Sequence, residues 1–197
     1  MTAPDTPKPA KPLNNPHADA PASPWVVHWS HLFAPGAEVL DLACGHGRHM
    51  RYLAEKGFRP IGVDRDAAAL AQAQQWGQTL LADVENHAWP WPDRLFDAVV
   101  ITHYLWRPLW PQILASLAPQ GVLICETFAQ GQETVGRPSR ADFLLRHGEL
   151  LQLCADLHIV AYENGFNPNP ERFVQRVVAV RAAPGQPMPA RYPLSLE

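Results

Sequence analysis

The sequence predicts an α/β protein built on an open, doubly wound sheet, mostly parallel, with an antiparallel hairpin at its C-terminal edge. Three observations carry this expectation. Five apolar segments each finish on a polar residue: EVLD at Asp41, RPIGVD at Asp64, TLLAD at Asp83, FDAVVIT at Thr102 and GVLICE at Glu126. Their ends lie about 19 to 24 residues apart, which leaves room for the helix or crossover loop that parallel strands require. Near the C-terminus, LHIVAYE and FVQRVVAVR are joined only by NGFNPNP, too short and too proline-rich for a helix, so these two segments pair antiparallel.

Residues 1–22 are mostly proline, alanine and small polar groups, which bury too little apolar surface to offset ordering, so a disordered tail is expected there. The folded domain is expected over residues 23–182. It opens with a short amphipathic helix in SPWVVHWSHLF, where Ser23 caps, Pro24 suits the first turn, and Trp25, Trp29, Leu32 and Phe33 recur near helical spacing. Between the apolar segments, RHMRYLAEKG and DAAALAQAQQWG read as helices closed by glycine, and RPLWPQILASLAPQG as a helix ending at Pro119. TFAQGQETVGRPSRAD is long for a connection in a compact domain, which suggests a loop over a site with Arg137 and Arg140 facing an anionic substrate, or a surface loop with solvated charges. Residues 183–197 form a second proline-rich, irregular tail.

A chain of 197 residues with 47% hydrophobic and 18% charged residues suits one well-buried core. The net charge of -3 supplies no footprint for nucleic acid or an anionic membrane, so a small-molecule partner is expected and nucleic acid is not. Cys44, Cys125 and Cys154 show no metal or disulfide spacing and fit a cytoplasmic protein with reduced thiols. No apolar run approaches the span of a bilayer, so membrane insertion is not expected. The pairs His46/His49 and His28/His31 lack a third ligand of matching spacing and read as helix-surface histidines, with no metal expected.

In sheets of this kind ligands bind beyond the carboxyl ends of the strands, where the five polar residues collect. The stretch EVLDLACGHGRH turns from strand to helix over two glycines. It is a tight turn and nothing more, or a turn whose bare backbone lies against a ligand. Dinucleotide binders require a third glycine, and Met50 stands at that position, which disfavours a pyrophosphate. Asp41 before the glycines repels phosphate and suits an ammonium group, so a ligand with an amino acid moiety is indicated.

These residues resemble the class I methyltransferases that use S-adenosylmethionine. VLDLACGHGRH resembles their first motif, GVDRD their second, and ADVEN the segment that meets the adenine, over residues 36–130. The small size and GHGRHMRYLAEKGF resemble the tellurite-resistance-type subgroup. The resemblance implies a Rossmann-like class I methyltransferase fold with S-adenosylmethionine as cofactor. It places Asp41 at the amino group of the methionine part, Ala43, Gly45 and Gly47 along its chain, and Arg48 at its carboxylate, unless Arg48 is a solvated helix arginine. It also places Asp64, with Arg65 beside it, at the ribose hydroxyls, and Asp83 with Val84 at the adenine. For Asp64 and Asp83 a helix-capping role is the alternative. Ala43 departs from the glycine that many relatives carry.

Methyl transfer from a sulfonium is an in-line displacement, so orienting the acceptor supplies much of the acceleration and a base is needed only for a protonated acceptor. Thr102, His103 and Tyr104 are expected beside the methyl, with Glu126 at the end of the next strand. His103 is the candidate base or a pocket wall, Tyr104 and Trp106 are an aromatic wall or core, and Glu126 faces a cationic acceptor or holds Arg107. The expected activity is methyl transfer to a small molecule. An RNA or protein acceptor, a non-catalytic cofactor-binding module and a nicotinamide-dependent oxidoreductase are the competing readings.

Overall fold

The computed structural model describes residues 20–185 and 190–195; residues 1–19, 186–189 and 196–197, which include most of the first expected tail and part of the second, lie outside the described residues. Seven strands form one sheet: β1 (Glu38–Leu42), β2 (Arg59–Asp64), β3 (Gln78–Leu81), β4 (Phe96–Thr102), β5 (Leu117–Phe128), β6 (His158–Pro168) and β7 (Glu171–Val180). Their order is β3-β2-β1-β4-β5-β7-β6. The first five pair in parallel, and β7 pairs antiparallel with both β5 and β6. The expected doubly wound α/β sheet with its antiparallel edge hairpin is therefore the observed fold.

The helices are α1 (Pro24–Trp29), α2 (Arg48–Glu55), α3 (Ala67–Ala73), α4 (Trp110–Ala115) and α5 (Glu149–Leu153). Ser23 caps α1, its hydroxyl accepting from Trp25 N–H, and Pro24 occupies the first turn where an amide hydrogen has no partner to lose. Asp66 caps α3 by accepting from Ala68 and Ala69 N–H. The two faces of the sheet bury separate layers because successive side chains alternate. Leu40, Leu42, Val99 and Ile101 pack with Trp110, Ile113 and Leu150 on one face, while Val39, Val100, Ile124 and Val178 pack with Trp25, Val26 and Trp29 on the other. By the same alternation Asp41, Thr102, Glu126 and Arg176 project on the face that α1 covers.

Three element readings are corrected. The helix expected to end at Pro119 stops at Ala115, because Leu117 pairs with Phe96 and the 120–121 backbone bonds to Arg181, which draws this stretch into β5. NGFNPNP is mostly strand: β6 runs on to Pro168, leaving only Asn169 and Pro170 as the turn. The long connection contains 3-10 turns at Gln132–Thr134 and Ala141–Phe143, followed by α5, and a bridge from Ala129 to Leu145 ties it to the sheet. Residues 190–195 run irregularly along α1, where His28 and His31 bond to the carbonyls of Leu194 and Pro193 at 3.0 Å each.

The two glycines of the first turn have different reasons to be there. Gly47 takes φ 78°, and a Cβ on it would lie 2.8 Å from the Cβ of Ala73, so it permits α2 and α3 to pack; Gly45 takes φ 52° with open space around it. Gly45→Ala is expected to cost the roughly 1–2 kcal/mol of a left-handed alanine. Gly47→Ala should exceed that by about 1–3 kcal/mol through overpacking. Urea unfolding of both variants checks this, and equal losses would show that the α2–α3 contact relaxes freely.

Candidate active site

The cleft opens at the carboxyl end of the parallel strands, where β1 separates β2 from β4 and the strand order reverses. Asp64, ending β2, is central to its shape. Its carboxylate accepts from Gly45 N–H at 2.8 Å and from Asp66 N–H at 2.9 Å, so it ties the turn after β1 to the turn after β2. The helix cap is Asp66 and not Asp64. Beside it a cavity of about 250 Å³ is lined by Ala43, Asp64, Arg65, Asp83, Val84, Glu85 and Tyr104. Asp83 accepts from Glu85 and Asn86 N–H and from the Asn86 amide, which holds its carboxyl below the usual range and makes it the cap of the 84–86 turn. Arg65 is exposed and lies 3.9 Å from Glu85.

A second cavity of about 260 Å³ adjoins the first at Ala43 and is lined also by Gly45, His46, Arg48, His49, Thr102 and His103. Ala43 and His103 both sit in left-handed backbone, at φ 56° and 53°, a strain of the kind that collects at functional sites. Asp41 is buried behind this cavity with 1% exposure, and its Oδ2 has no hydrogen-bond partner. Desolvation raises its pKa to about 7, Asp64 adds to the rise, and Arg48 and the Met50 amide oppose it. Arg48 reaches Thr102 Oγ1 at 3.4 Å and the Pro21 carbonyl at 3.5 Å. Gly47 does not line the cavity; its place is the helix contact described above.

His49 is a correction to the sequence reading: it is buried, not on a helix surface. Its Nε2 accepts from Ser23 N–H at 3.2 Å, which puts the ring proton on Nδ1, 3.9 Å from Asp41. Burial, with Arg48 and His103 adding to it, lowers its pKa to about 3, so the ring is neutral. Ser23 Oγ donates to Glu126 at 3.2 Å, and Glu126 pairs with Arg176 at 2.9 Å. Glu126 therefore does not hold Arg107, which pairs with Glu149 at 2.6 Å. His103 closes the group: its N–H donates to the Glu126 carbonyl, its ring stacks on Phe128 at 4.9 Å, and its Nε2 lies 3.9 Å from Glu126 Oε1 and 3.5 Å from Arg172. Tyr104 faces the first cavity, with burial and Glu85 raising its pKa. Arg140 spends its charge on Asp142 at the surface, 3.0 Å away.

Residues 39–121 match the family model described as a methyltransferase domain, methyltransferase domain 25. The match covers less than half of the chain. The chain's fold is that of TehB from Haemophilus influenzae, which is 18% identical with a TM-score of 0.63 over 77% of this chain and 59% of that one. A TehB-like S-adenosylmethionine-dependent methyltransferase from Corynebacterium glutamicum is 18% identical with a TM-score of 0.60, covering 84% and 91% of the two chains. The N-methyltransferase NodS from Bradyrhizobium japonicum is 16% identical with a TM-score of 0.60, covering 78% and 92%. A 53-residue stretch, 25% of this chain, is 43% identical to ribosomal RNA small subunit methyltransferase H from an Anaeromyxobacter strain, and spans 17% of that protein.

The fold brings Ala43, Gly45, Arg48, Asp64, Arg65, Asp83, Val84, Thr102, His103 and Tyr104 to two adjoining cavities, with Asp41 buried nearby and Glu126 beside His103. Five polar residues at this cleft escaped the sequence reading: Ser23, His49, Glu85, Arg172 and Arg176. Glu85 stands two residues past Asp83, within the segment already read as a cofactor contact. Arg172 and Arg176 share a face of β7 by strand alternation, but only the pairing of Arg176 with Glu126 reveals that the face is this cleft. Among the described residues no group of three or more His, Cys, Asp or Glu side chains is placed to hold a metal, and no helix is long and apolar enough to cross a membrane.

The buried acid has a signature in stability. Asp41 titrates near 3.8 when unfolded and about 7 when folded, so its favourable contribution is complete below about pH 4 and is lost as the pH rises through 7. Asp41→Asn, neutral throughout, should melt higher than the parent at pH 8, with the gap about 5 °C or more wider than at pH 5. Thermal unfolding at the two pH values tests this; a gap independent of pH would mean that the carboxyl is not desolvated.

Proposed function

We propose that the chain is a cytoplasmic enzyme that transfers a methyl group from S-adenosylmethionine to a small molecule. The observation that carries this reading is the buried, unpartnered Oδ2 of Asp41 behind a glycine turn, in a stretch that matches a methyltransferase-domain model. A buried carboxylate oxygen without a donor demands a cation. An α-ammonium group is the fitting one, and Arg48 at the start of α2 stands ready for the accompanying carboxylate. Asp64 turns its oxygens to the cleft after meeting two backbone donors, and each retains acceptor capacity for a ribose hydroxyl. Val84 and Ala82 supply an apolar seat for the adenine, with Asp83 at its edge. The residues thus fit the cofactor, which when bound supplies a methyl group on a positively charged sulfur.

The chain's own work is to orient the acceptor and exclude water. His103, held by its strained backbone, the Phe128 ring and the Glu126 carboxylate, has few rotamers open to it. Its ring stands where an acceptor proton would leave, and Glu126 would stabilise the imidazolium that results. An RNA acceptor is the alternative raised by the short likeness to the ribosomal RNA enzyme. The net charge of -3 argues against it.

Titration calorimetry with S-adenosylhomocysteine, which carries the same ammonium group, is the direct test. Because Asp41 must be ionised to meet that group, affinity should weaken by roughly tenfold per pH unit as the pH falls below about 7, and the dependence should vanish in Asp41→Asn. Asp64→Ala should lose about one to three orders of magnitude in affinity. It should also lose stability by roughly 1–3 kcal/mol, since Gly45 N–H loses its partner. Absence of binding to the parent protein would overturn the cofactor. Incubation with labelled cofactor and a metabolite extract, read by mass detection, tests transfer: a labelled small product supports it, and label retained only on RNA would favour the alternative.

A further inference from the structure

A third cavity, of about 260 Å³, lies on the acceptor side of His103 and is walled by Tyr104, Leu105, Phe128, Pro138 and Phe143, with Arg65 and Glu85 at its rim. His103 lines both this cavity and the one beside Arg48, so it stands at the junction where a methyl group would cross. The walls are mainly apolar and aromatic, and Phe143 and Pro138 come from the long connection after β5. This shape takes a small apolar or aromatic body.

The two arginines on this face of β7 differ in their partners. Arg176 is shared between Glu126 at 2.9 Å and Glu163 at 3.1 Å, so its charge is matched. Arg172 stands on the same face of β7, with one guanidinium nitrogen 3.5 Å from His103 Nε2, no carboxylate within ion-pair distance among the described residues, and a buried Nε without a partner. A guanidinium so placed presents a planar fork of donors to whatever lies beside His103. Arg48, the other unmatched cation, is turned towards Thr102 and the cofactor side.

We propose that the acceptor is a small organic acid, its carboxylate held by Arg172 beside His103 and its apolar body lodged between Phe128 and Phe143. This rests on the reading of the cleft as a methyl-transfer site and adds the substrate class. Arg172 is then a specificity-determining residue, and the neutral amide of the same acid binds more weakly because it leaves the guanidinium unmatched. The hydrophobic walls contribute affinity while the single cation decides orientation.

Phenylacetate and phenylacetamide, which differ only in charge and hydrogen bonding at one end, are the probes. Ligand-observed NMR on the protein loaded with S-adenosylhomocysteine should show phenylacetate binding about tenfold or more tighter than phenylacetamide. Arg172→Gln should abolish that difference, Arg172→Lys should keep part of it, and Phe143→Ala should weaken both probes alike. Equal binding of acid and amide, no binding of the acid, or acid binding indifferent to Arg172→Gln would overturn the proposal. The same titrations without S-adenosylhomocysteine separate the two readings. Failure to bind S-adenosylhomocysteine sinks the cofactor, whereas the response of phenylacetate to Arg172 reports on the acid site alone. Melting curves of each variant confirm that the loss is not one of folding, and Phe143→Ala provides a second route should Arg172→Gln not fold.

Discussion

Asp41 lies at the point where the sheet order reverses, on the strand flanked by β2 and β4, and its carboxyl is buried on the side that α1 covers. Parallel pairing forces this position, because the central strand has neighbours on both edges and helices on both faces, so its side chains reach no water. A carboxyl put there is costly to ionise, and its neighbours relieve that cost only in part. Arg48 approaches without an ion pair, His49 is neutral, and Oδ2 receives no hydrogen bond. The cleft thus carries a buried carboxyl whose electrostatic demand its own neighbours leave unmet.

The second consequence of that burial is the contact between α1 and the chemistry. His49 is held neutral by its desolvation and oriented by Ser23 N–H, the residue that also caps α1 and bonds Glu126. One serine thus joins the helix start, the histidine beside Asp41 and the carboxylate beside His103. Glu126 is itself buried, and its ion pair with Arg176 spans β5 and β7 at directly opposed positions. Removing either partner of such a pair leaves a charge without compensation, which is why the two belong on adjacent strands held by the ladder and not on a mobile loop.

The parts of this arrangement that were legible in the sequence are those set by local chemistry. The apolar runs locate all five parallel strands, with β2 and β4 ending on the expected Asp64 and Thr102 while β1, β3 and β5 end one or two residues from Asp41, Asp83 and Glu126, and Gly45 and Gly47 mark a turn because the backbone there is left-handed. Gly47 has a packing reason that the sequence conceals, since its neighbour Ala73 is brought close only when α2 and α3 pack. His49 reads as a surface residue from helical spacing, yet the α1 segment lies over it. The extent of β5 and β6 was missed for a similar reason: LAPQG and NGFNPNP have poor strand propensity, and tertiary pairing overrides it. Arg172 and Arg176 carry no motif at all, and their relevance depends on a register that only the folded hairpin defines.

This division separates the two ends of the cleft. One end is assembled from turns directly after β1, β2 and β3, whose geometry follows from the parallel sheet. The other draws on the His103 turn, the long connection that supplies Pro138 and Phe143, and the antiparallel hairpin that supplies Arg172. Such pieces can vary in length and charge without disturbing the strand ladder, because the connection is tied to the sheet through the Ala129–Leu145 bridge and the buried Gln175, which accepts from Leu150 N–H and donates to the Arg146 carbonyl. Arg107, bonded to Glu149 and to the carbonyls of Asp142 and Leu144, fastens the same segment from the opposite side. Phe128 and Phe143 line one cavity with His103, whose Nε2 lies 3.5 Å from Arg172, so the residues that border this cavity come from three separate parts of the fold.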